Sequence, residues 1–200
     1  SPAVTAELRQ AMGAAAVSAA QSLGYYSTGT VEFLLDGDEF WFLEVNTRLQ
    51  VEHPVTEEIT GIDLVREQIR VAEGATLSFN QSELTFKGHA IEARLYAENP
   101  ENNFLPSPGT VVAWKPSSSG NARFDSGIES GSIISTQFDP MIAKVIVHAQ
   151  TRQEAIIRLA RALETTRIQG LVTNRDFLVS TLRTAEFLAG DTTTDFIDRV

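Results

Sequence analysis

The chain has 200 residues, of which 42% are hydrophobic and 21% charged, a composition typical of one or two folded domains. Its 16 basic and 26 acidic residues give a formal net charge of −10, which disfavours nucleic-acid partners because phosphate backbones require a surplus of cations. The absence of cysteine excludes disulfides and Cys-ligated zinc and fits a cytoplasmic location. No apolar run reaches the ~20 residues of a membrane span, so we expect no membrane partner.

The first part of the chain predicts a helix, a hairpin and a second helix. We expect a helix over 3–23, a hairpin over 28–46, an irregular stretch over 47–61, a helix over 64–73 and a linker over 75–86. Pro2 suits the first turn of a helix, and Asp63 is expected to cap the second helix. Both hairpin strands carry apolar side chains at odd and at even positions, which predicts burial on both faces.

The second part of the chain predicts a mostly antiparallel sheet followed by helices. Residues 86–98 alternate between apolar side chains such as Leu95 and polar ones such as Arg94. Further strands are expected at about 110–115, 121–126, 131–137 and 141–149, and helices at about 151–166, 174–184 and 193–200. The predicted fold class is α+β, with one division of the chain between 1–80 and 81–200.

Glu32 and Glu44 lie on the two strands of the predicted hairpin. If the turn has an odd length, such as 37–39, the two carboxylates face each other directly and repel. A hard divalent cation with oxygen ligands would relieve this repulsion, and Asn46 would add a further oxygen. The alternative is that both are ordinary solvated strand carboxylates.

The stretch that follows carries a polar side chain on every second residue. If it is extended, its five polar groups point the same way: Glu44, Asn46, Arg48, Gln50 and Glu52. Arg48 offers a planar fork for a small oxyanion such as bicarbonate or phosphate. Gln50 could orient that anion, and Glu52 could accept a proton from it.

Residues 42–57, FLEVNTRLQVEHPVTE, closely resemble the signature of biotin carboxylases, within the ATP-grasp superfamily. The resemblance continues through GHAIEAR at 88–94, FLPSPG at 104–109 and FDPMIAK at 138–144, and therefore covers essentially the whole chain. It implies the C-terminal part of an ATP-grasp lobe in residues 1–80, followed by the mostly antiparallel biotin carboxylase C-terminal domain in 81–200. Within the family, the chain is similar to alpha subunits of acetyl- and propionyl-CoA carboxylases.

The resemblance implies a metal-assisted nucleotide site. Glu32, Glu44 and Asn46 match the ligands that hold Mg²⁺ or Mn²⁺ against the phosphates of ATP. Glu32 and Glu44 thereby contribute to ATP binding.

The resemblance also implies sites for bicarbonate and biotin. Arg48, Gln50 and the backbone of Val51 match the bicarbonate site, and Arg48 is also the main catalytic arginine. Glu52 matches the base that deprotonates bicarbonate, which then attacks the γ-phosphate to give carboxyphosphate. Arg94 matches the arginine that stabilises the enolate-like oxygen of biotin.

The implied partners are a biotinylated carrier protein or domain, a carboxyltransferase and a second copy in a homodimer. The sequence has no Gly-rich phosphate loop and no initiator Met, so we expect a segment of a longer enzyme, inactive when isolated. Two alternatives remain open. One is another ATP-grasp ligase similar to carbamoyl-phosphate synthase, and the other is a non-catalytic dimerisation or binding module.

Overall fold

The computed structural model describes residues 3–199, so the expectations for Pro2 and Val200 lie outside the described residues. The described chain forms two compact units. The first contains the residues up to His53 together with Gly61–Leu84, and the second contains Pro54–Thr60 and the residues from Thr85 onward. None of the helices in the described range is both long and apolar enough to cross a membrane.

The first unit begins with helix α1, Ala6–Ser22, which confirms the predicted helix with slightly shorter bounds. Thr5 caps it, because its hydroxyl oxygen accepts a hydrogen bond from the backbone N–H of Leu8 at 3.2 Å. Helix α1 ends before Gly24, whose φ of +59° is typical of a residue that terminates a helix.

The predicted hairpin is formed by strands β1, Thr30–Asp36, and β2, Glu39–Asn46. The predicted burial on both faces is wrong: Phe42 is 60% exposed and Trp41 is 50% exposed. Within the described chain this sheet has two strands only. Apolar side chains at odd and even positions point to opposite faces of a sheet, and each face is buried only when another layer packs on it. A two-stranded ribbon provides no such layer by itself.

Two helices follow the hairpin. The expected irregular stretch over 47–61 is wrong in its second half, because α2 occupies His53–Thr60. This helix is short and mixes polar and apolar residues without a long period, so propensity alone did not reveal it; Pro54 in its first turn was the available signal. Helix α3, Leu64–Ala72, is capped as predicted, with the Asp63 carboxylate accepting from the N–H of Arg66 at 2.8 Å.

The second unit is built on a three-stranded antiparallel sheet. In chain order, the strands of this unit before the helices are β3, His89–Tyr96; β4, Glu98–Asn99; β5, Leu105–Pro106; β6, Gly109–Thr110; β7, Ala113–Lys115; β8, Arg123–Ser126; β9, Ile133–Ile134; and β10, Met141–Ala149. Strands β3, β8 and β10 form the three-stranded sheet, and the others form short pairs. The sheet has the order β3-β10-β8, and β6 pairs with β9. Alternation along β3 is as predicted, with Leu95 fully buried and Arg94 exposed.

Helices follow this sheet along the chain. They are α4, Arg152–Thr165; α5, Arg175–Leu182; α6, Ala185–Ala189; and α7, Phe196–Arg199, with a last strand β11, Arg167–Gln169, paired to β7. Helices α4 and α5 pack against the sheet, and α6 packs against those two helices. The main core joins Val145 and Val147 of β10 to Ile156, Leu159 and Leu163 of α4. Sequence analysis predicted α4, α5 and α7 but missed α6 and β11.

The strand expected at 110–115 is divided because the chain changes partner in its middle. The N–H of Val111 bonds to Ser132 on the β9 side, whereas the N–H of Val112 bonds to Gln169 of β11. The strand expected at 131–137 is likewise reduced to β9, because its partner β6 has only two residues. The α+β class and the antiparallel pairing of every sheet are nevertheless confirmed.

Candidate active site

Glu32 and Glu44 pair directly across the β1–β2 hairpin. The turn between the strands has two residues, Gly37 and Asp38, and not the odd length that direct pairing in a regular hairpin would need. A regular two-residue turn would place Glu32 opposite Leu43. The register shifts between Glu32 and Phe33, so that Leu43 is an extra residue in β2 and Glu44 moves into line with Glu32.

Asn46 and Gln50 both direct their amide groups at the Glu32 carboxylate. The Asn46 Nδ2 donates to Glu32 Oε1 at 2.7 Å and to Glu44 Oε1 at 3.2 Å. The Gln50 Nε2 donates to the same Glu32 oxygen at 2.9 Å. The structure therefore brings four of the predicted site residues into one hydrogen-bonded cluster, which we call the Glu32 cluster: Glu32, Glu44, Asn46 and Gln50.

Arg48 lies beside the Glu32 cluster on the loop that follows β2. Its Nη2 lies 3.5 Å from Asn46 Oδ1, and its Nη1 lies 3.3 Å from the carbonyl oxygen of Leu49. Both contacts are long, so they hold the guanidinium only weakly. Since the side chain is exposed, its fork is accessible to an anion from solvent.

The stretch from Glu44 to Glu52 is extended only in its first part, so the condition under which its five polar groups would point the same way is not met. Strand β2 ends at Asn46, and residues 51–52 form a turn that leads into α2. The N–H of His53 donates to the Gln50 carbonyl at 3.3 Å, and the His53 ring contacts the same oxygen at 2.8 Å. Gln50 therefore joins the Glu32 cluster, whereas Glu52 is an exposed residue of the turn.

The donor set of the Glu32 cluster fits a hard divalent cation. The cluster contains two carboxylates and two amides, those of Asn46 and Gln50. The oxygens of Glu32, Glu44 and Asn46 are ligands of the kind that suit Mg²⁺ or Mn²⁺, which keep several waters or phosphate oxygens as further ligands. The positive end of the Asn46 amide now lies between the two carboxylates. Within residues 3–199 no group of three or more His, Asp or Glu side chains is arranged to hold a metal.

Arg94 belongs to the second unit, on the polar face of β3. It pairs across the sheet with Lys144 of β10. Lys144 is neutralised by Asp125 of β8, since its Nζ lies 3.3 Å from Asp125 Oδ2. Arg94 is exposed, and its backbone carbonyl accepts a hydrogen bond from the side chain of Asn174 at 3.1 Å.

Sequence analysis missed an ion network around Arg123 of β8. The guanidinium forms a two-bond contact with Asp125, at 2.8 and 2.9 Å, and donates to Glu57 of α2 at 2.7 Å. Partial burial alone would raise the pKa of Asp125, but Arg123 and Lys144 outweigh it and hold that pKa below its ordinary value. Glu57 and Arg123 are 66 residues apart, so no local pattern could have indicated the contact.

The comparisons with known families agree with this architecture. Residues 92–199 match the family described as biotin carboxylase C-terminal domain, which is more than half of the chain. The chain belongs to the biotin carboxylase family. Residues 1–80 match the family described as carbamoyl-phosphate synthase L chain, ATP binding domain.

Curated relatives of this biotin carboxylase family member share about half of its residues. Biotin carboxylase 2 of Bacillus subtilis is 50% identical over 198 residues, which cover 98% of this chain and 44% of that protein. A pyruvate carboxylase subunit of Methanothermobacter thermautotrophicus is 48% identical over 198 residues, 99% of this chain and 40% of that protein. The chain thus spans less than half the length of these relatives.

Solved biotin carboxylase structures share the fold closely. The biotin carboxylase domain of a thermophilic 2-oxoglutarate carboxylase, bound to bicarbonate, aligns with a TM-score of 0.95 at 39% identity, covering 98% of this chain and 45% of that chain. A dimer of the Hydrogenobacter thermophilus 2-oxoglutarate carboxylase domain, in complex with MgADP, ADP and bicarbonate, aligns with a TM-score of 0.94 at 39% identity. It covers 98% of this chain and 44% of that one.

Proposed function

We propose that this chain is part of a biotin carboxylase that uses ATP and bicarbonate to carboxylate biotin on a carrier protein. The Glu32 cluster, with Arg48 beside it, is the observation that carries the proposal. Together they combine two facing carboxylates with two amides and a guanidinium, which are groups that a metal nucleotide and a small oxyanion require. A relative bound to bicarbonate and another bound to MgADP support it.

The proposed first step is phosphoryl transfer to bicarbonate. Mg²⁺ or Mn²⁺, held by Glu32, Glu44 and Asn46, would neutralise charge on the ATP phosphates. Arg48, Gln50 and the backbone of Val51 bind and orient the bicarbonate.

Glu52 then takes the bicarbonate proton, and the resulting carboxylate oxygen attacks the γ-phosphorus, releasing ADP and leaving carboxyphosphate. The exposed turn position of Glu52 suits a base that must meet a substrate from solvent.

The proposed second step transfers the carboxyl group to biotin. The ureido nitrogen of biotin attacks the carboxyl carbon of carboxyphosphate and the bond from that carbon to the phosphate oxygen breaks. The proton of the nitrogen passes to the departing phosphate, which leaves as inorganic phosphate. Arg94 donates hydrogen bonds to the biotin oxygen, on which negative charge develops. Its exposed guanidinium on the edge strand β3 is accessible to a biotin carried by another protein or domain.

The physiological role follows from the same proposal. Carboxybiotin on the carrier would pass to a carboxyltransferase, as the first half-reaction of an acyl-CoA carboxylase. The alpha subunit of methylcrotonoyl-CoA carboxylase from rice, 48% identical over 201 residues, supports the acyl-CoA class. A homodimer is proposed because one related structure is described as a dimer.

The match of residues 92–199 favours this function over that of a carbamoyl-phosphate synthase, which the match of residues 1–80 alone would allow. The test is to compare two proteins: the complete enzyme that contains this segment, and the 200-residue chain by itself. We expect bicarbonate-dependent ADP release, stimulated by biotin, from the complete enzyme and none from the chain alone. An inactive complete enzyme would refute the proposed function, and robust turnover by the chain alone would refute its status as part of a larger catalytic unit.

A further inference from the structure

Asn174 is a buried polar residue that makes three hydrogen bonds to β3. It is 6% exposed and lies immediately before α5. Its Oδ1 accepts from the N–H of Tyr96 at 2.8 Å, and its Nδ2 donates to the carbonyl oxygen of Arg94 at 3.1 Å. Its backbone N–H donates to the carbonyl oxygen of Tyr96 at 3.1 Å.

The side chain of Asn174 serves the strand rather than its own helix. Asn174 occupies the N-cap position of α5, where asparagine ordinarily accepts a hydrogen bond from the first helical turn. Here the side chain makes no capping hydrogen bond. The helix therefore forgoes its capping hydrogen bond, and the amide binds β3 instead.

Strand β3 needs a partner at this place. Within the described chain it is an edge strand of the three-stranded sheet, with β10 on one side only. Its ladder with β10 is also irregular here, because the register shifts between Met141, paired with Tyr96, and Ala143, paired with Leu95. The Asn174 amide donates and accepts as the peptide group of a neighbouring strand would.

We infer that Asn174 is a positioning residue for Arg94. This inference rests on the proposed role of Arg94 in binding biotin. Asn174 fixes the Arg94 carbonyl and the Tyr96 N–H, which flank Leu95 on the same edge of the strand. Leu95 is fully buried and successive side chains in a strand point to opposite faces, so holding these peptide groups also sets the direction of Arg94.

The sharpest test separates the two half-reactions in the complete enzyme. Asn174→Ala removes both side-chain bonds. Asn174→Asp keeps the size and the acceptor for Tyr96 but places an oxygen against the Arg94 carbonyl. Both variants should slow carboxybiotin formation by ~10-fold or more, because a small misplacement of a positioning group is costly. The bicarbonate-dependent ATP cleavage that needs no biotin should be unchanged.

Thr166→Val provides a matched control in the same unit. Thr166 is 1% exposed; its hydroxyl donates to Ala162 at 2.8 Å and accepts from the N–H of Ser117 at 3.2 Å. The variant loses buried polar bonds as Asn174→Ala does, but these bonds join α4 to the loop after β7. It should lower stability and leave the ratio of the two half-reactions unchanged.

Hydrogen exchange of the 200-residue chain tests the contact without any activity. Loss of the Asn174 acceptor should accelerate exchange of the Tyr96 amide by ~10-fold in Asn174→Ala, with no comparable change in Thr166→Val. Should Asn174→Ala fail to fold, Asn174→Asp carries the activity test.

The inference is overturned if the Asn174 variants lower both half-reactions equally, or if carboxybiotin formation is unaffected. Arg94→Ala, measured in parallel, distinguishes this failure from failure of the proposed function. If Arg94→Ala abolishes carboxylation while the Asn174 variants retain it, the positioning inference alone is wrong. If Arg94→Ala itself carboxylates biotin normally, the proposed role of Arg94 is wrong and the positioning inference falls with it.

Discussion

Glu32 and Glu44 lie directly opposite each other on the hairpin, with the amide nitrogen of Asn46 donating to an oxygen of each. Like charges placed opposite each other destabilise a hairpin. The amide offsets part of this repulsion through two hydrogen bonds, but it carries no net charge. A cation bound to the same oxygens, as in the proposed metal site, would relieve more of the repulsion.

In the complete enzyme, Glu44→Gln should reduce the rate of ATP cleavage ~10²-fold or more, the scale of removing one electrostatic partner of a reacting phosphate. The substitution removes one negative ligand of the proposed metal site and keeps the shape of the side chain. Steady-state rates measured against Mg²⁺ and Mn²⁺ concentration should show partial recovery at high metal.

Glu39→Gln is the matched control for this prediction, since Glu39 begins the same strand but pairs with Asp36 next to the turn. It should leave both the rate and the metal dependence unchanged. If Glu44→Gln behaves like Glu39→Gln, the two facing glutamates are ordinary strand carboxylates.

Gly88→Ala should destabilise the 200-residue chain by about 2–5 kcal/mol, from backbone strain and overpacking together. Gly88 has a φ of +64°, and an added Cβ would lie 2.2 Å from the carbonyl oxygen of Ala149 and 2.6 Å from Nε2 of His148. The carbonyl oxygen of Ala149 belongs to the backbone at the end of β10, so it cannot shift as the tip of a flexible side chain can. Chemical denaturation measures the change.

Gly127→Ala is the corresponding control, because an added Cβ there meets no atom within 4 Å. It should alter stability by less than about 1 kcal/mol. Equal denaturation midpoints for the two variants would show that the close approach at Gly88 is absent in solution.

The lowered pKa of Asp125 predicts a loss of stability in acid. Arg123 and Lys144 favour its charged form in the folded state. A carboxylate whose pKa is lower in the folded than in the unfolded state stabilises the fold at pH values above its unfolded-state pKa of about 3.9. This stabilisation is lost as the pH falls through the folded-state pKa. Asp125→Asn should therefore be less stable than the parent at neutral pH, with the difference shrinking below about pH 4. Denaturation midpoints across this range provide the test, and a difference independent of pH would contradict it.

For Glu98 we predict the opposite dependence of stability on pH. Burial raises its pKa, and the nearby carboxylate of Asp139 raises it further. A carboxyl group whose pKa is higher in the folded than in the unfolded state contributes stability at pH values below its unfolded-state pKa of about 4.3. This contribution is lost as the pH rises through the folded-state pKa. Glu98→Gln should therefore gain stability relative to the parent between acid and neutral pH. The same titration of midpoints decides it, and a gain confined to acid pH would show that the sign is wrong.

The local signals in the sequence were sufficient where one segment determines its own structure. Strand β10 was predicted with its bounds, and Asp63 was identified as a cap, because an apolar run and a capping carboxylate act over a few residues. The α+β class followed from the order of such segments. The grouping of Glu32, Glu44 and Asn46 also followed, from their positions on two adjacent strands.

Register and long-range contacts could not be predicted in the same way. The sequence left open how Glu32 would come to face Glu44, and the structure achieves it with a bulge at Leu43 rather than a longer turn. Bulges depend on the fit of both strands and have no reliable residue signature. Asn174 lies 80 residues from the Arg94 carbonyl it binds, so nothing local distinguished it from an ordinary helix cap.

Arg94 and Glu52 are predicted to act at different stages of the reaction. Arg94→Ala in the complete enzyme should abolish carboxybiotin formation, since a donor to developing charge is worth ~10²–10³ in rate, while the slow ATP cleavage that needs bicarbonate but no biotin continues. Glu52→Gln should lose both activities, because deprotonation of bicarbonate precedes the point at which the two pathways divide.

The competing interpretation of Arg94 is a surface ion on the polar face of β3, worth ~0–1 kcal/mol of stability and nothing in catalysis. Arg158→Ala is a suitable control, since Arg158 is a half-buried arginine of the same unit that pairs with Glu154 on its own helix. It should leave both activities intact. Measuring carboxybiotin and ADP in the three variants decides the matter: if Arg94→Ala lowers the two products equally, or matches Arg158→Ala, then Arg94 does not bind biotin.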